Sequence, residues 1–168
     1  MYETFLSSPL GTIYIKADEE KICEITFVNS KKGKVADEDA MAGTVSENSV
    51  IKQCVRELNE YFSGERTLFN IAATQDGTEF QKKVWNELVN IPYGRTISYL
   101  QLSKNINNVK AIRAAGTANG SNKVCIIVPC HRVIGSNGSL VGYGGDLWRK
   151  QWLLDHEAKY ANGVQKLF

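Results

Sequence analysis

The sequence predicts an α/β domain over residues 1–75, made of a small sheet plus a helix, followed by a mostly helical domain over residues 76–168. At 168 residues the chain can form one large domain or two small ones. Two β-rich segments and one amphipathic helix occupy the first half, whereas two helix-start motifs and several short apolar stripes at helical spacing occupy the second. The segment Ala72–Gly77 is a plausible linker.

The two β-rich segments are Gly11–Ala17 and Ile22–Val28, which alternate or concentrate β-branched residues. Asn29–Asn48 is polar, with glycines and mixed charges, and is predicted to be a loop or insertion. The amphipathic helix that follows has these apolar residues at helical spacing: Val50, Ile51, Cys54, Val55, Leu58, Tyr61 and Phe62. Leu68–Ile71 could return to the sheet. This half contains no histidine, so we expect it to be a scaffold.

The second half opens with Thr78 and Gln81, which have the spacing of a capping box, in which the first side chain caps the helix and the second reaches back to its start. The stripe that follows is typical of core packing, and it consists of Phe80, Val84, Trp85, Leu88 and Val89. At the other end of this half, Asp146 is predicted to cap a last helix that ends near His156-Glu157.

Between these helices the pattern predicts a pair of short ones. Ser98 and Gln101 form a second capping-box pattern and open a helix through Ser103, and a further helix runs from about Val109 to Asn119. Two short helices joined by a tight turn fit a helix-turn-helix, although helix pairs are common in proteins that do not bind DNA. The second helix has very small side chains apart from Lys110 and Arg113. Such a helix can approach a DNA backbone or groove closely, or it can pack tightly against a neighbouring helix.

The composition excludes several classes of protein. The chain is 43% hydrophobic and 23% charged, which is ordinary for a globular protein, and no apolar stretch approaches the roughly 20 residues of a membrane span. Its first residues lack the basic start and apolar core of a signal peptide. Four cysteines lie far apart without a CxxC spacing: Cys23, Cys54, Cys125 and Cys130. We therefore expect free thiols and a cytoplasmic protein without a membrane partner, and we place Cys23 and Cys54 in the core.

The charge is distributed unevenly along the chain. Residues 1–75 carry eight basic and twelve acidic groups, whereas residues 76–168 carry twelve basic and six acidic groups. The net charge is therefore −4 in the first half and +6 in the second. A split of this kind favours a polyanionic partner for the second half, although surface charges also vary by chance.

The segment with the most chemical information is Ile126–Val128 followed by Pro129, Cys130, His131 and Arg132. The apolar run predicts a buried strand that Pro129 ends, because proline has no N–H to donate. A thiolate is a strong nucleophile, and a neighbouring base or positive charge favours it over the thiol. The alternative is a buried, inert cysteine.

A zinc site made of Cys125, Cys130, His131 and His156 is a further alternative, because these are metal-ligand types. Their spacing fits no common zinc motif, and Cys125 and Cys130 would diverge if they lay on one strand. We therefore expect no metal.

Taken together, the motifs resemble those of the O6-alkylguanine-DNA alkyltransferases, also called methylated-DNA–protein-cysteine methyltransferases. The resemblance covers nearly all of residues 78–157, in the order typical of the family, and extends more weakly to Tyr61–Gly64. The matching motifs are Ile91–Thr96 with Ser98-Tyr99, Arg113–Gly116, Asn119–Asn122, Pro129–Val133, Tyr143–Gly145 and Trp152–Glu157. It implies a ribonuclease-H-like first domain and a helix-turn-helix in the second.

The resemblance also implies a reaction, which is direct-reversal DNA repair by nucleotide flipping. Cys130 would take the alkyl group from O6 of guanine, or from O4 of thymine, in a single turnover. His131 would act as base through a water, and Glu157 would orient it. Asn122 would hold the hinge, and Tyr99 would donate to guanine N3. No cofactor is expected, because the damaged base supplies the alkyl group.

Recognition residues are implied in the same way. The carbonyls of Cys130 and Val133 would read the exocyclic amine of guanine, and the N–H groups of Tyr143 and Gly144 would contact O6 and the ring. Arg113 would fill the space left by the flipped nucleotide. DNA contacts are implied for Arg113, Ala114, Ala115, Gly116 and Tyr99. The expected partner is double-stranded DNA with alkylated bases, bound by a monomer that is nucleoid-associated when on DNA.

The sequence departs from the family at Gly144, where many relatives have Ser or Ala, and glycine loosens that loop. Three other functions compete with repair. A sensor of alkylated bases would lack the cysteine that is present here, and a transcription regulator would need room for another domain. A cysteine hydrolase would need an oxyanion hole, and no segment of the sequence indicates one.

Overall fold

The computed structural model describes residues 1–30, 47–140, 143 and 146–163. Within it the chain divides into two units. The first unit is made of Met1–Gln75 together with the short segment Lys123–Cys125, and the second holds Asp76–Asn122 and the residues from Ile126 onward. Most of the loop predicted at Asn29–Asn48 lies outside the described residues.

The first unit contains a three-stranded antiparallel sheet. Its strands are β1 (Tyr2–Ser8), β2 (Gly11–Ala17) and β3 (Ile22–Phe27), in the order β1-β2-β3. The predictions of β2 and β3 are confirmed, but β1 was not predicted. The reason is that β1 buries only Thr4 completely, so its sequence lacks the alternation that marks a half-buried strand.

Among the described residues of this unit, one helix packs on the sheet, as the sequence predicts. Helix α1 (Ser49–Phe62) contacts all three strands and buries Ile51, Cys54, Leu58 and Tyr61. It begins where the side chain of Asn48 accepts a hydrogen bond from the N–H of Ile51 at 2.9 Å. Burial raises the pKa of the Cys54 thiol to about 12, which fits an inert core cysteine.

The free edge of β3 pairs with two short segments rather than with Leu68–Ile71, so that prediction is wrong. The N–H of Ile22 donates to the carbonyl of Ala72, and the carbonyl of Ile22 accepts from the N–H of Thr74. In the same way, Ile25 donates to the carbonyl of Lys123 and accepts from the N–H of Cys125. Both pairings are parallel. The N–H groups of Asn70 and Ile71 instead donate to the carboxylate of Glu57 at 2.7 and 3.2 Å. The buried carboxylate therefore satisfies two backbone N–H groups that would otherwise need a neighbouring strand as acceptor.

The second unit is mostly helical. The α-helices in its described residues are α2 (Glu79–Leu88), α3 (Tyr99–Asn105), α4 (Ile112–Gly120) and α5 (Leu147–Ala158). A wider helical turn follows α5 at Lys159–Gly163. Two very short strands, β4 (Ile97–Ser98) and β5 (Val133–Ile134), pair in parallel. No helix in the described ranges is both long and apolar enough to cross a membrane.

The capping hydrogen bonds at the helix starts match the prediction only in part. Thr78 and Gln81 form both bonds of the capping box, at 3.1 and 2.9 Å. Ser98 accepts from the N–H of Gln101 at 3.0 Å, but the side chain of Gln101 donates to Asn105, so the second box is half formed. This extra bond accompanies a helix that runs two residues beyond the predicted end.

Two further helix starts differ from the prediction. Helix α4 starts at Ile112 rather than near Val109, because Asn107 has a positive φ of 60° and the residues after it form a turn. Asp146 stands before α5 as expected, but its side chain accepts from Arg149 at 3.2 Å instead of from a backbone N–H.

The strand predicted at Ile126–Val128 is wrong, because these residues form a turn. Ile126 has a φ of 73°, which interrupts any extended run, and β-pairing ends at Cys125. Ile126 and Val128 are nevertheless buried. The apolar run therefore reflects burial, which a short stretch cannot distinguish from a strand.

Candidate active site

Cys130 follows this buried turn. Its N–H donates to the carbonyl of Val128 at 2.8 Å, and Cys130–Arg132 then form one tight helical turn that leads directly into β5. The residue is only 4% exposed. The short turn fixes the backbone of Cys130, and its burial means that a reactant must be brought to the sulfur.

Two buried asparagines hold the backbone on either side of Pro129. The side chain of Asn122 donates to the carbonyl of Val128 at 2.9 Å, and the side chain of Asn119 donates to the carbonyl of Cys130 at 3.3 Å. Asn122 thus fixes the chain just before Pro129, and its role at the hinge stays a prediction. The sequence motif gives Asn119 no separate role, although a short amide among small apolar residues on one helix is a sequence signal for a buried anchor.

Glu157 gathers the charged groups next to the cysteine. Its carboxylate accepts from Nε2 of His131 at 2.7 Å and from Nε and Nη2 of Arg132 at 2.8 and 3.0 Å. The N–H of Gly94 also donates to Glu157, at 3.2 Å, and Nη1 of Arg132 donates to the carbonyl of Ile91 at 2.7 Å. Almost every oxygen lone pair of this buried carboxylate is therefore used.

These contacts set the charge states of the cluster. Burial alone would raise the pKa of Glu157, but the hydrogen bonds and charges of His131 and Arg132 outweigh it and hold that pKa well below its usual range. Burial lowers the pKa of His131, and Glu157 offsets this only in part. Because Arg132 already balances the carboxylate, the imidazole can stay neutral. Its Nδ1 has no hydrogen-bond partner among the described residues.

Lys150, a residue that the sequence patterns did not single out, contacts both Val133 and Tyr99. Nζ of Lys150 donates to the carbonyl of Val133 at 2.6 Å and lies 5.9 Å from the centre of the Tyr99 ring. Burial raises the pKa of the Tyr99 phenol. Helical spacing could have identified Lys150, since it lies on the face of α5 that also buries Leu153 and Glu157.

The predicted DNA-contact residues divide between two faces of α4. Arg113 and Ala114 are exposed, whereas Ala115 is buried. Gly116 lies against Tyr99, where an added Cβ would come within 3.5 Å of the ring. An open groove of about 590 Å³ runs along the exposed face, and its lining includes Thr78, Phe80, Lys110 and Arg113.

The remaining predicted positions are only partly described. Tyr143 is half-buried and its carbonyl accepts from the N–H of Asp146 at 3.0 Å, whereas Gly144 lies outside the described residues. His156 stacks on Trp152 and tilts against Tyr160, with ring centroids 4.7 and 4.8 Å apart. In the part of the chain that the structure describes, no group of three or more His, Cys, Asp or Glu side chains is placed to hold a metal ion.

Comparisons with known proteins agree along nearly the whole chain. Residues 1–74 match the family model of the 6-O-methylguanine DNA methyltransferase ribonuclease-like domain, and residues 79–159 match that of the DNA binding domain. A methylated-DNA–protein-cysteine methyltransferase of Methanosarcina acetivorans is 45% identical over 94% of this chain and 98% of its own. The crystal structure of Mycobacterium tuberculosis OGT in complex with DNA is 35% identical, with a TM-score of 0.83 over 95% of this chain and 94% of that one. A second structure, of the Mycobacterium tuberculosis O6-methylguanine methyltransferase, is 36% identical, with a TM-score of 0.82 over 99% and 98% of the two chains.

Proposed function

The chain belongs to the 6-O-methylguanine DNA methyltransferase family, and from that premise we propose that it repairs DNA by moving the alkyl group of O6-alkylguanine onto its own Cys130. The observation that carries the proposal is the bonding of Glu157 to both His131 and Arg132, next to the buried cysteine. This arrangement provides a nucleophile, a neutral base and a group that orients the base.

Deprotonation of the thiol is the first step. The lowered pKa of His131 keeps the ring neutral, and the nearby carboxylate favours the tautomer in which Nε2 carries the proton and donates to Glu157. Nδ1 then has a free lone pair. It takes the proton of Cys130 through a bridging water, and Glu157 stabilises the imidazolium that forms.

Transfer is the second step. The thiolate attacks the alkyl carbon, a carbon–sulfur bond forms, and the bond between carbon and O6 breaks with its electron pair going to guanine. Tyr99 hydrogen-bonds N3 of the departing base, and its raised pKa keeps the phenol protonated as a donor. The product is a thioether, which has no ready route back to the thiol, so each molecule reacts once and needs no cofactor.

The target nucleotide has to leave the duplex before this chemistry, because a buried sulfur cannot reach O6 in a stacked base pair. Helices α3 and α4 act as a helix-turn-helix. Ala114 and Gly116 permit close approach to the DNA, and Arg113 enters the space left by the flipped base. The excess positive charge of residues 76–168 attracts the phosphates.

Recognition of the flipped base uses backbone groups. The carbonyls of Cys130 and Val133 accept from the exocyclic amine of guanine. The Val133 carbonyl keeps a second lone pair beyond the one that Lys150 uses. The Cys130 carbonyl is held in place by the N–H of Val133 and the side chain of Asn119. The N–H groups of Tyr143 and Gly144 contact O6 and the ring. The protein acts as a cytoplasmic monomer on double-stranded DNA with alkylated bases, and residues 1–75 serve as its scaffold.

The mass of the intact protein, measured after mixing with a duplex that carries one O6-methylguanine, tests this proposal. We expect a gain of one methyl group per molecule, mapped to Cys130, with no turnover. The Cys130→Ala variant is the matched control, and it should bind the damaged duplex without gaining mass. An unchanged mass with tight binding would indicate a damage sensor, and methyl transfer by Cys130→Ala would exclude Cys130 as the acceptor.

A further inference from the structure

Residues 91–94 form a turn between α2 and β4, called the 91–94 turn below, that contacts a buried ion pair of the candidate active site. Ile91 begins the turn, and its carbonyl accepts from Nη1 of Arg132 at 2.7 Å. Gly94 ends it, and its N–H donates to Oε1 of Glu157 at 3.2 Å. The turn therefore bonds to both members of the ion pair, yet it has no task in the proposed mechanism.

The position of the Glu157 carboxylate depends on more than its arginine partner. Arg132 donates from Nε to Oε1 at 2.8 Å and from Nη2 to Oε2 at 3.0 Å. A paired guanidinium aligns a carboxylate with its own plane, but it leaves the carboxylate able to tilt about the line that joins the two groups. The N–H of Gly94 reaches Oε1 from another part of the chain and restricts that tilt. Oε2 is then kept at 2.7 Å from Nε2 of His131.

Gly94 can occupy this position because it has no side chain. Its φ is 77°, in the region that favours glycine. An added Cβ would lie 2.6 Å from the Cβ of Ala161, in the helical turn that follows α5, which is well inside the contact distance of two carbon atoms. Any other residue would therefore push the 91–94 turn away, together with the N–H that reaches Glu157.

We propose that Gly94 is a positioning residue whose backbone N–H holds the Glu157 carboxylate in line with Nε2 of His131. The contact stands on the geometry alone, whereas its service to alkyl transfer rests on the proposed function. A backbone N–H suits this task because it fixes the carboxylate without placing a further positive charge beside the imidazole. It also has no rotamers of its own, so it keeps the orientation that the turn gives it.

Hydrogen exchange at the imidazole, followed by NMR without DNA, measures this positioning. In Gly94→Ala the carboxylate should tilt away from His131, so the Nε2 proton should exchange with water about tenfold faster at pH 7. Gly138→Ala is the matched control, because Gly138 also has a positive φ, of 84°, but no described atom lies within 4 Å of an added Cβ. It carries the same backbone strain and should leave the exchange rate of this proton unchanged.

Single-turnover methyl transfer from an O6-methylguanine duplex separates positioning from DNA binding. The transfer rate constant of Gly94→Ala should fall about tenfold, whereas its affinity for the duplex should stay within twofold. A merely structural defect would lower the folded fraction or the affinity and leave the rate constant of the folded molecules unchanged. The added change Ala161→Gly removes the atom that the new Cβ would meet, so the double variant should recover most of the rate.

Glycolic acid in place of Gly94, introduced by cell-free translation, keeps the test decisive if Gly94→Ala does not fold. It deletes the N–H and adds no side chain, and it should give the same faster exchange and slower transfer. Unchanged exchange in this folded chain would overturn the proposal, as would equal changes in Gly138→Ala.

The two measurements also distinguish this inference from the proposed function. Faster exchange with undiminished transfer would overturn the claim that the contact serves the reaction. If the unaltered protein transfers no methyl group, the proposed function fails, whereas the exchange rates still decide whether Gly94 holds Glu157 against His131.

Discussion

Each unit of the protein has a buried glutamate on one of its described helices, and the two carboxylates have different hydrogen-bond partners. Glu57 on α1 accepts from the N–H groups of Asn70 and Ile71 and from the amide of Gln53. Glu157 on α5 accepts instead from His131 and Arg132. In both cases burial alone would raise the pKa of the carboxyl, and the hydrogen bonds reverse that effect and lower it.

The difference lies in the partner. The chief donors to Glu57 are backbone and amide groups that cannot change charge, so its carboxylate only holds the backbone at Asn70 and Ile71 in place. The principal donors to Glu157 include an imidazole that can titrate, so its carboxylate sets the proton affinity of a base. A perturbed carboxylate therefore marks a functional site only when one of its partners can take up or release a proton.

The largest effect is expected from Glu157→Gln. The amide cannot balance Arg132 or stabilise an imidazolium, so methyl transfer should fall by about 10²–10³-fold. Stability should fall by about 3–5 kcal/mol, since a buried cation loses its partner. Single-turnover transfer from O6-methylguanine DNA and urea denaturation measure the two losses. Unchanged transfer in a folded variant would remove Glu157 from the mechanism.

Glu57→Gln is the matched change in the first unit. It should cost about 2 kcal/mol of stability, because the charged acceptor of two backbone N–H groups is replaced by a neutral one. Methyl transfer, measured at a temperature where the variant is folded, should stay within twofold of the unaltered protein. A loss comparable to that of Glu157→Gln would contradict the contrast between the two carboxylates.

Acidification should expose the same contrast as a stability curve. Both carboxyls have folded-state pKa values below their unfolded values, so their stabilisation is complete above the unfolded pKa of about 4.3 and is lost as pH falls through the folded one. Between pH 6 and pH 3, Glu57→Gln should lose about 1–2 kcal/mol less stability than the unaltered protein. Thermal denaturation over this range measures the difference, and parallel curves would show that Glu57 does not contribute.

The smallest effect is expected from Asn48→Ala, which removes the cap of α1. The N–H of Ile51 loses its acceptor, so stability should fall by about 1 kcal/mol. Reactivity of Cys130 toward iodoacetamide should not change, because the cap belongs to the scaffold. Chemical denaturation and thiol labelling check the two expectations, and altered labelling would argue that the first unit does more than support.

Sequence patterns predict those features that depend only on neighbouring residues. The capping box of Thr78 and the span of β2 depend on neighbouring residues, and both are found. The turn at Ile126–Val128 and the contacts of Lys150 with Val133 and Tyr99 depend on distant parts of the chain, so no local pattern could report them. The family resemblance identified the bonded pair of His131 and Glu157, but the engagement of Glu157 by Arg132 required the structure, and the roles of these residues stay predictions.

The pairing of Ile25 with Lys123 and Cys125 has a consequence for biosynthesis. The edge of β3 acquires its second partner only from a segment made after most of the chain has left the ribosome. Until then the N–H and C=O groups of Ile25 face an unoccupied edge, which is where strands of other molecules can add. A nascent chain stopped before Cys125 therefore has an incomplete first unit, and we expect it to aggregate more readily than the full-length protein.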